Sequence, residues 1–129
     1  MLYIDKIDQV KCESLQGFFV GWKVPIKPER HVDLLRGSTH FIIAMDGNRA
    51  VGFITALSDG VSSAFIPLLE VLPEYQKRGI GSELVERMLV KLEGLTNIDL
   101  TCDPEIQPFY ERFNMLRSSG MVLRKYLFE

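Results

Sequence analysis

The 129-residue sequence has no apolar stretch long enough to cross a membrane, and it does not open with a basic region followed by an apolar run. We therefore expect neither a membrane-spanning segment nor a secretion signal. It also lacks a surplus of one charge, because 15 lysines and arginines face 17 aspartates and glutamates, a formal net charge of −2. This balance argues against a nucleic-acid partner, and no long charge run predicts a disordered tail.

Cysteine and histidine are scarce. Cys12 and Cys102 are too few for a disulfide framework and lack metal-ligand spacing, so we expect reduced thiols in a cytoplasmic protein, with Cys102 in the core. His31 and His40 have no metal-like spacing either, and His40, just before a predicted strand, is interpreted as structural. The sequence therefore predicts no metal site.

Repeats, low-complexity tracts and linkers are absent as well, and the length fits one domain spanning residues 1–129. Apolar patterning predicts the element order β-α-β-β-β-α-β-α-β. Asp46-Gly47-Asn48 is a strong hairpin signal, and residues 12–25 are too irregular to assign. The predicted strands cover residues 2–7, 39–45, 50–57, 61–72, 98–102 and 121–128, and the predicted helices are 28–35, a long helix from Gly81, and one after Pro104.

The common nucleotide fingerprints are missing too: there is no Gly-x-Gly-x-x-Gly and no glycine-rich loop ending in Gly-Lys-Ser/Thr. Residues 71–84 instead read Val-Leu-Pro-Glu-Tyr-Gln-Lys-Arg-Gly-Ile-Gly-Ser-Glu-Leu, a strand end running through a bend into an amphipathic helix. Free N–H groups at a helix start favour an anion, and Gly79 and Gly81 let a phosphate approach the main chain. Lys77 and Arg78 add positive charge. The alternative is an ordinary strand-to-helix turn.

The string Gln76-x-x-Gly79-x-Gly81 after Val71-x-Pro73 resembles motif A of the GNAT acetyltransferases, which grips the pyrophosphate of acetyl-CoA. The resemblance implies acetyl-CoA as cosubstrate. It also implies one α/β (α+β) domain with a mixed, mostly antiparallel sheet of six to seven strands, flanking helices, and splayed fourth and fifth strands. The implied cofactor-binding residues are Leu69 and Val71 through their main chain, then Gln76, Lys77, Arg78, Gly79, Ile80, Gly81 and Ser82, and Tyr110.

A second motif, Phe109-Tyr110-Glu111-Arg112-Phe113-Asn114-Met115, resembles the Phe-Tyr-x-x-x-Gly-Phe signature of the helix after the fifth GNAT strand. Asn114 and Met115 replace the usual Gly-Phe, a mild departure because asparagine tolerates a left-handed cap. The resemblance implies that Tyr110 lies near the thioester sulfur and protonates the departing thiolate. The alternative is a partly buried aromatic residue with a structural role.

The candidate for the general base is Glu70. Several GNAT enzymes carry a glutamate on the fourth strand, but the matching position is Phe65, with Pro67 two residues on. Glu70 lies on the same predicted strand and could reach the cleft if that strand carries a bulge, or it could be a solvated or ion-paired carboxylate. Asp103 lies where many relatives have an asparagine that contacts the pantetheine arm, and it too could bind a cationic amine.

We therefore expect an N-acetyltransferase that moves acetyl from acetyl-CoA directly to a primary amine of a small molecule, with a homodimer as one candidate assembly. The sequence is similar to the plant and bacterial serotonin-type branch of the family. Phe18, Phe19, Trp22 and Phe65 could line an aromatic-accepting pocket or belong to the core. Three alternatives stay open: a non-catalytic acyl-CoA-binding module, a protein N-acetyltransferase, and an interaction domain whose final strand pairs with a partner.

Overall fold

The structure, a computed structural model, describes residues 1–127. It contains two compact units, one of residues 1–99 and one beginning at Leu100. The prediction of one domain over residues 1–129 stays a prediction. The strands are β1 (Leu2–Ile4), β2 (His40–Asp46), β3 (Arg49–Ser58), β4 (Ser63–Phe65), β5 (Leu69–Val71) and β6 (Asn97–Asp99), and the helices are α1 (Pro28–Gly37), α2 (Ile80–Lys91) and α3 (Gln107–Glu111).

All six strands form one sheet in the first unit. Its order is β1-β2-β3-β4-β6, and β5 also pairs with β3. Every pairing is antiparallel except that of β4 with β6, which is parallel. The prediction of a mixed, mostly antiparallel sheet with flanking helices is confirmed, with six strands. No helix in the described range 1–127 is long and apolar enough to span a bilayer.

The hairpin of β2 and β3 is the centre of the sheet. Its turn lies where Asp46-Gly47-Asn48 predicted it, with Asp46 opposite Arg49 and Gly47 at φ +60°. Seven consecutive residues of β3, 50–56, are buried, so both faces of this strand are covered. Apolar and β-branched residues on both faces suit a strand packed between two layers.

Helix α2 packs closely on one face of the sheet, and Gly52 of β3 makes this approach possible. A Cβ atom at Gly52 would lie 3.3 Å from Ile80 Cγ2 and 3.3 Å from Leu84 Cδ1, so a larger residue would force these side chains to shift. The buried residues of α2 are Ile80, Leu84, Val85 and Met88. Because the helix is fixed in this way, the loop that opens it is attached to a rigid element.

The predicted strand over residues 61–72 is wrong as one continuous element, because it is broken into β4 and β5. Pro67 lies in the break and has no N–H to donate to a ladder. Pairing with β6 extends only to Ile66, whose N–H donates to Asp99 O at 2.9 Å. Within residues 1–127, strand β5 pairs with β3 and not with β6, so the two halves of the predicted strand separate here, as the predicted splay requires.

The predicted strand at residues 121–128 is also wrong over its described part. Residues 121–127 contain no strand, only a 3₁₀ turn at Lys125–Leu127, and Phe128 lies outside the described residues. Met121 is 99% exposed and Leu123 is 71% exposed. An apolar run forms a strand only where an edge is there to pair with it, and sequence periodicity does not report that edge.

Candidate functional site

The loop between β5 and α2 has the backbone geometry of an anion site. Lys77 (φ +63°) and Gly79 (φ +84°) are left-handed, and Gly79 is the N-cap of α2. The first helical hydrogen bond is donated by Glu83 N to Gly79 O at 3.0 Å. The first N–H groups of an α-helix have no acceptor within the helix. The amides of Gly79, Ile80 and Gly81 are therefore oriented as donors at this end of α2.

Lys77 and Arg78 add positive charge beside this loop, and Glu74 partly offsets the charge of Arg78. Tyr75 lies under two guanidinium groups, with Arg78 at 5.0 Å and Arg49 at 5.8 Å from its ring centre, and its hydroxyl donates to Asp46 Oδ2 at 2.6 Å. Arg49 is paired with Glu74 at 2.6 Å. Arg78 forms no ion pair in the described part of the chain, so its guanidinium can pair with a phosphate.

Strand β5 has main-chain groups at residues 69 and 71 that do not pair with β3. Thr55 N donates to Leu68 O, and Leu72 N donates to Val51 O. In an antiparallel pair, residues that exchange backbone hydrogen bonds alternate along the strand with residues that do not. Residues 68 and 72 are bonded to β3, so Glu70, midway between them, is the residue that exchanges backbone hydrogen bonds with Phe53. The N–H and C=O groups of residues 69 and 71 therefore point away from β3. The predicted donors on this strand thus have the required direction, and Gln76 Nε2 ties the loop to it by donating to Val71 O at 2.9 Å.

Glu70, the candidate base, is half-buried and already has one partner. Its Oε2 and Oε1 lie 3.1 and 3.3 Å from the backbone N of Phe19, which donates to the carboxylate. Burial raises the pKa of Glu70, while the hydrogen bond from Phe19 partly opposes that shift. A carboxyl with a raised pKa is better matched to proton transfer near neutral pH than an ordinary glutamate is.

The sequence did not predict the turn that reaches Glu70. Residues 17–22 form a tight turn whose rings pack together: Phe19 lies 5.0 Å from Trp22 and 5.0 Å from His31. Phe18, Phe19 and His31 all contact Phe53 of β3, so two of the four aromatic candidates for the acceptor pocket, Phe18 and Phe19, belong to the core instead. Trp22 is 46% exposed and remains a candidate for contact with a substrate. The glycines at 17 and 21 were the only signal for this turn.

Tyr110 lies on α3, in the second unit. Its ring packs edge-on against Phe109 at 5.0 Å. Burial, together with the negative charge that Cys102 would carry as a thiolate, raises the pKa of Tyr110 to about 12. The phenol therefore keeps its proton at neutral pH and can donate it. Asn114 has φ +66°, the left-handed conformation predicted for it.

The other residues singled out in the sequence, Asp103, Cys102 and Phe65, lie outside the loop before α2 and outside the ring cluster around His31. Asp103 precedes a 3₁₀ turn, Pro104–Ile106, as its N-cap. Cys102 is only half-buried, so the expectation that it lies in the core is wrong, and both cysteines are free thiols. Phe65 is 39% exposed on β4, outside the ring cluster around His31. No group of three or more metal-ligating side chains occurs among residues 1–127.

The fold is a mixed α/β fold in which a left-handed loop and the start of α2 follow directly on strand β5. The model of the Acetyltransferase (GNAT) family matches residues 7–115. The chain belongs to this family.

Three relatives illustrate the likeness. A protein of known structure from Deinococcus radiodurans R1 is 40% identical with a TM-score of 0.94, covering 97% of this chain and 88% of that one. A GNAT protein of Streptococcus pneumoniae TIGR4 is 28% identical with a TM-score of 0.78, covering 95% and 96%. The chloroplastic GCN5-related N-acetyltransferase 1 of Arabidopsis thaliana is 36% identical over 64 residues, 48% of this chain but only 32% of that protein.

A fourth structure bears on the ligand. The aminoglycoside N-acetyltransferase AAC(6')-Iy, in complex with CoA, has a TM-score of 0.67, covering 95% of this chain and 91% of that one. At 15% identity this likeness shows the fold. The family and these relatives support an acetyl-CoA-dependent acetyltransferase, and the residues at the start of α2 fit the ligand, since they combine free amides, left-handed backbone and the guanidinium of Arg78.

Replacing Gly81 with valine tests the loop. The new side chain would stand on the first turn of α2 among the N–H donors, so we expect the Kd for CoA to rise about tenfold or more, the ratio given by 1.4 kcal/mol. Titration calorimetry measures this change, and the melting temperature checks that the fold survives. Gly120→Val is the matched control, because a Cβ there meets nothing within 4 Å. Equal CoA affinity in Gly81→Val would contradict the assignment of the loop.

Proposed function

We propose that this chain transfers the acetyl group of acetyl-CoA directly to the primary amine of a small molecule. The observation that carries the proposal is the start of α2, where Gly79 is the N-cap and the amides of Gly79, Ile80 and Gly81 open the helix beside Arg78, whose guanidinium packs on Tyr75. That arrangement suits a pyrophosphate. Beside it, β5 offers main-chain groups that no neighbouring strand uses, which suits an extended amide-bearing arm such as pantetheine.

The proposed roles of the residues follow from the direction of each group. The amides at the start of α2, with Lys77 and Arg78, bind the phosphates. The N–H of Val71 donates to the carbonyl oxygen as negative charge develops there, and Leu69 pairs with the arm. Attack of the amine nitrogen on the thioester carbon forms the N–C bond and breaks the C–S bond.

Two side chains are proposed to move the protons. Glu70, directly or through water, accepts the proton that the amine loses. Tyr110 donates its phenolic proton to the sulfur that leaves, and its pKa of about 12 means that it carries this proton at neutral pH. Asp103 is proposed as a second contact for a cationic amine. These assignments are proposals for each residue separately.

The acceptor class is proposed from the 17–22 turn and the relatives. Trp22 gives the turn a half-exposed aromatic face, which suits an arylalkylamine such as tryptamine. One related structure is that of AAC(6')-Iy with a bisubstrate analogue joining CoA to acetylneamine. We further propose a cytoplasmic location, consistent with two free thiols, and a homodimer, consistent with the exposed apolar residues Leu116 and Met121.

An acetylation assay tests the function. The chain is incubated with acetyl-CoA and separately with tryptamine, phenethylamine, spermidine, neamine and a peptide with a free N-terminus, and product is identified by mass spectrometry. We expect turnover of a small amine, with arylalkylamines preferred. Turnover of the peptide alone would favour a protein N-acetyltransferase. CoA binding without any product would favour a non-catalytic acyl-CoA-binding module, and no CoA binding would refute the proposal.

A further inference from the structure

The turn at residues 17–22 has an unusual backbone. Gly17 (φ +94°), Phe19 (φ +64°) and Gly21 (φ +82°) are all left-handed. The glycines adopt this conformation freely, but a bulky residue such as Phe19 rarely does. The hydrogen bond that closes this turn, from Trp22 N to Phe19 O, is long at 3.3 Å. The conformation of Phe19 therefore needs support from outside the turn.

Two contacts supply that support. The ring of Phe19 is 2% exposed and packs on His31 and Phe53, which fixes the side chain. Its backbone N–H is bound by both carboxylate oxygens of Glu70, 51 residues further along the chain. The apolar contacts have no directional preference for the amide, whereas the hydrogen bond to the Glu70 carboxylate is directional. Glu70 is thus the group that specifies the backbone of the turn.

We propose that Glu70 is a positioning residue for the 17–22 turn, holding Phe19 N–H and thereby placing Trp22 beside the acceptor amine. The Trp22 ring packs edge-on against the Phe19 ring at 5.0 Å, so a change at the Phe19 backbone moves both rings. The part of this inference that concerns the acceptor rests on the proposed function. The part that concerns the turn does not.

This role is separable from proton transfer. Each carboxylate oxygen has two lone pairs, and the one N–H of Phe19 occupies at most one direction on each. A base function therefore remains open to Glu70 while it holds the turn. The two roles predict different behaviour for Glu70→Gln, because the glutamine amide oxygen accepts a hydrogen bond from Phe19 but does not act as a base at neutral pH.

Trp22 is the only tryptophan of the chain, so its fluorescence reports the turn directly. We expect Glu70→Ala to shift Trp22 emission to longer wavelength and to speed hydrogen exchange of the Phe19 amide about tenfold or more, since one protecting hydrogen bond is lost. Glu70→Gln should retain the parent emission and amide protection. Glu70→Leu, close to glutamate in size, should behave like Glu70→Ala. If the alanine variant does not fold, the leucine variant alone tests whether Glu70 holds the 17–22 turn.

The kinetic readout uses the amine of the panel with the highest kcat/KM. We expect Glu70→Ala and Glu70→Leu to raise the KM of that amine about tenfold, the ratio for one lost charge-assisted hydrogen bond, and Glu70→Gln to leave it near the parent value. Parent-like emission and exchange in both Glu70→Ala and Glu70→Leu would overturn the proposal, as would identical shifts in Glu70→Gln. If no amine is acetylated, the proposed function fails, but emission and exchange still test the turn.

Discussion

Tyr110→Phe is expected to lower kcat by about 100- to 10,000-fold, the usual contribution of a positioned general acid, with little change in the Kd for CoA. The reason is that the proposed chemistry takes the proton for the departing sulfur from this hydroxyl, which, with a pKa of about 12, carries its proton at neutral pH. Phenylalanine keeps the ring that packs on Phe109 and removes only the hydroxyl. Single-turnover kinetics with saturating acetyl-CoA measure the chemical step, and calorimetry measures affinity.

A second tyrosine of the same unit serves as the control. Tyr126 is 37% exposed, and Tyr126→Phe should leave kcat and the Kd for CoA at the parent values. A purely structural role for the Tyr110 hydroxyl predicts a different outcome: a stability loss of about 1 kcal/mol and no selective effect on rate. An unchanged single-turnover rate in Tyr110→Phe would remove this residue from the proposed chemistry.

The backbone of the loop before α2 and the central hairpin could be predicted from the sequence because both are set by local chemistry. The hairpin follows from Asp46-Gly47-Asn48 between two β-branched runs, and the loop follows from glycines placed before an amphipathic helix. Asn114 is similar, since its left-handed φ of +66° reflects a preference of asparagine itself. In each case the residues that decide the conformation lie within a few positions of it.

Features that depend on distant partners were missed. The 17–22 turn is held by Glu70, 51 residues away from Phe19, and nothing in the local sequence shows that partner. The strand predicted at 121–128 failed over residues 121–127 for the same reason, since alternation of apolar residues gives no information about an available edge. Glu70 was found as a candidate from its position, but its contact with the turn became visible only in the structure.

His31 gives the chain an expected sensitivity to acid, because it is buried and unpaired. It is 1% exposed, neither ring nitrogen has a hydrogen-bond partner within residues 1–127, and its ring contacts are Phe18, Phe19 and Phe53. This burial lowers the pKa of His31 from 6.5 to about 4. Between pH 6.5 and about 4, His31 is therefore protonated in the unfolded chain but neutral in the folded chain. Stability is complete above pH 6.5 and falls by up to about 3 kcal/mol as pH drops toward 4.

His31→Leu should remove this pH dependence, since leucine fills a similar volume without a titrating group. Urea unfolding between pH 7 and 4.5 measures it, as the difference between parent and variant at each pH. His40→Gln is the matched control and should retain the parent slope. The titration of Asp59 lies outside this pH range. Three backbone amides and the Ser62 hydroxyl lower the pKa of Asp59 from 3.8, so the stability that its charged form contributes is lost only below pH 3.8. Equal slopes for parent and His31→Leu would mean that the buried imidazole accepts its proton as readily in the folded chain as in the unfolded one.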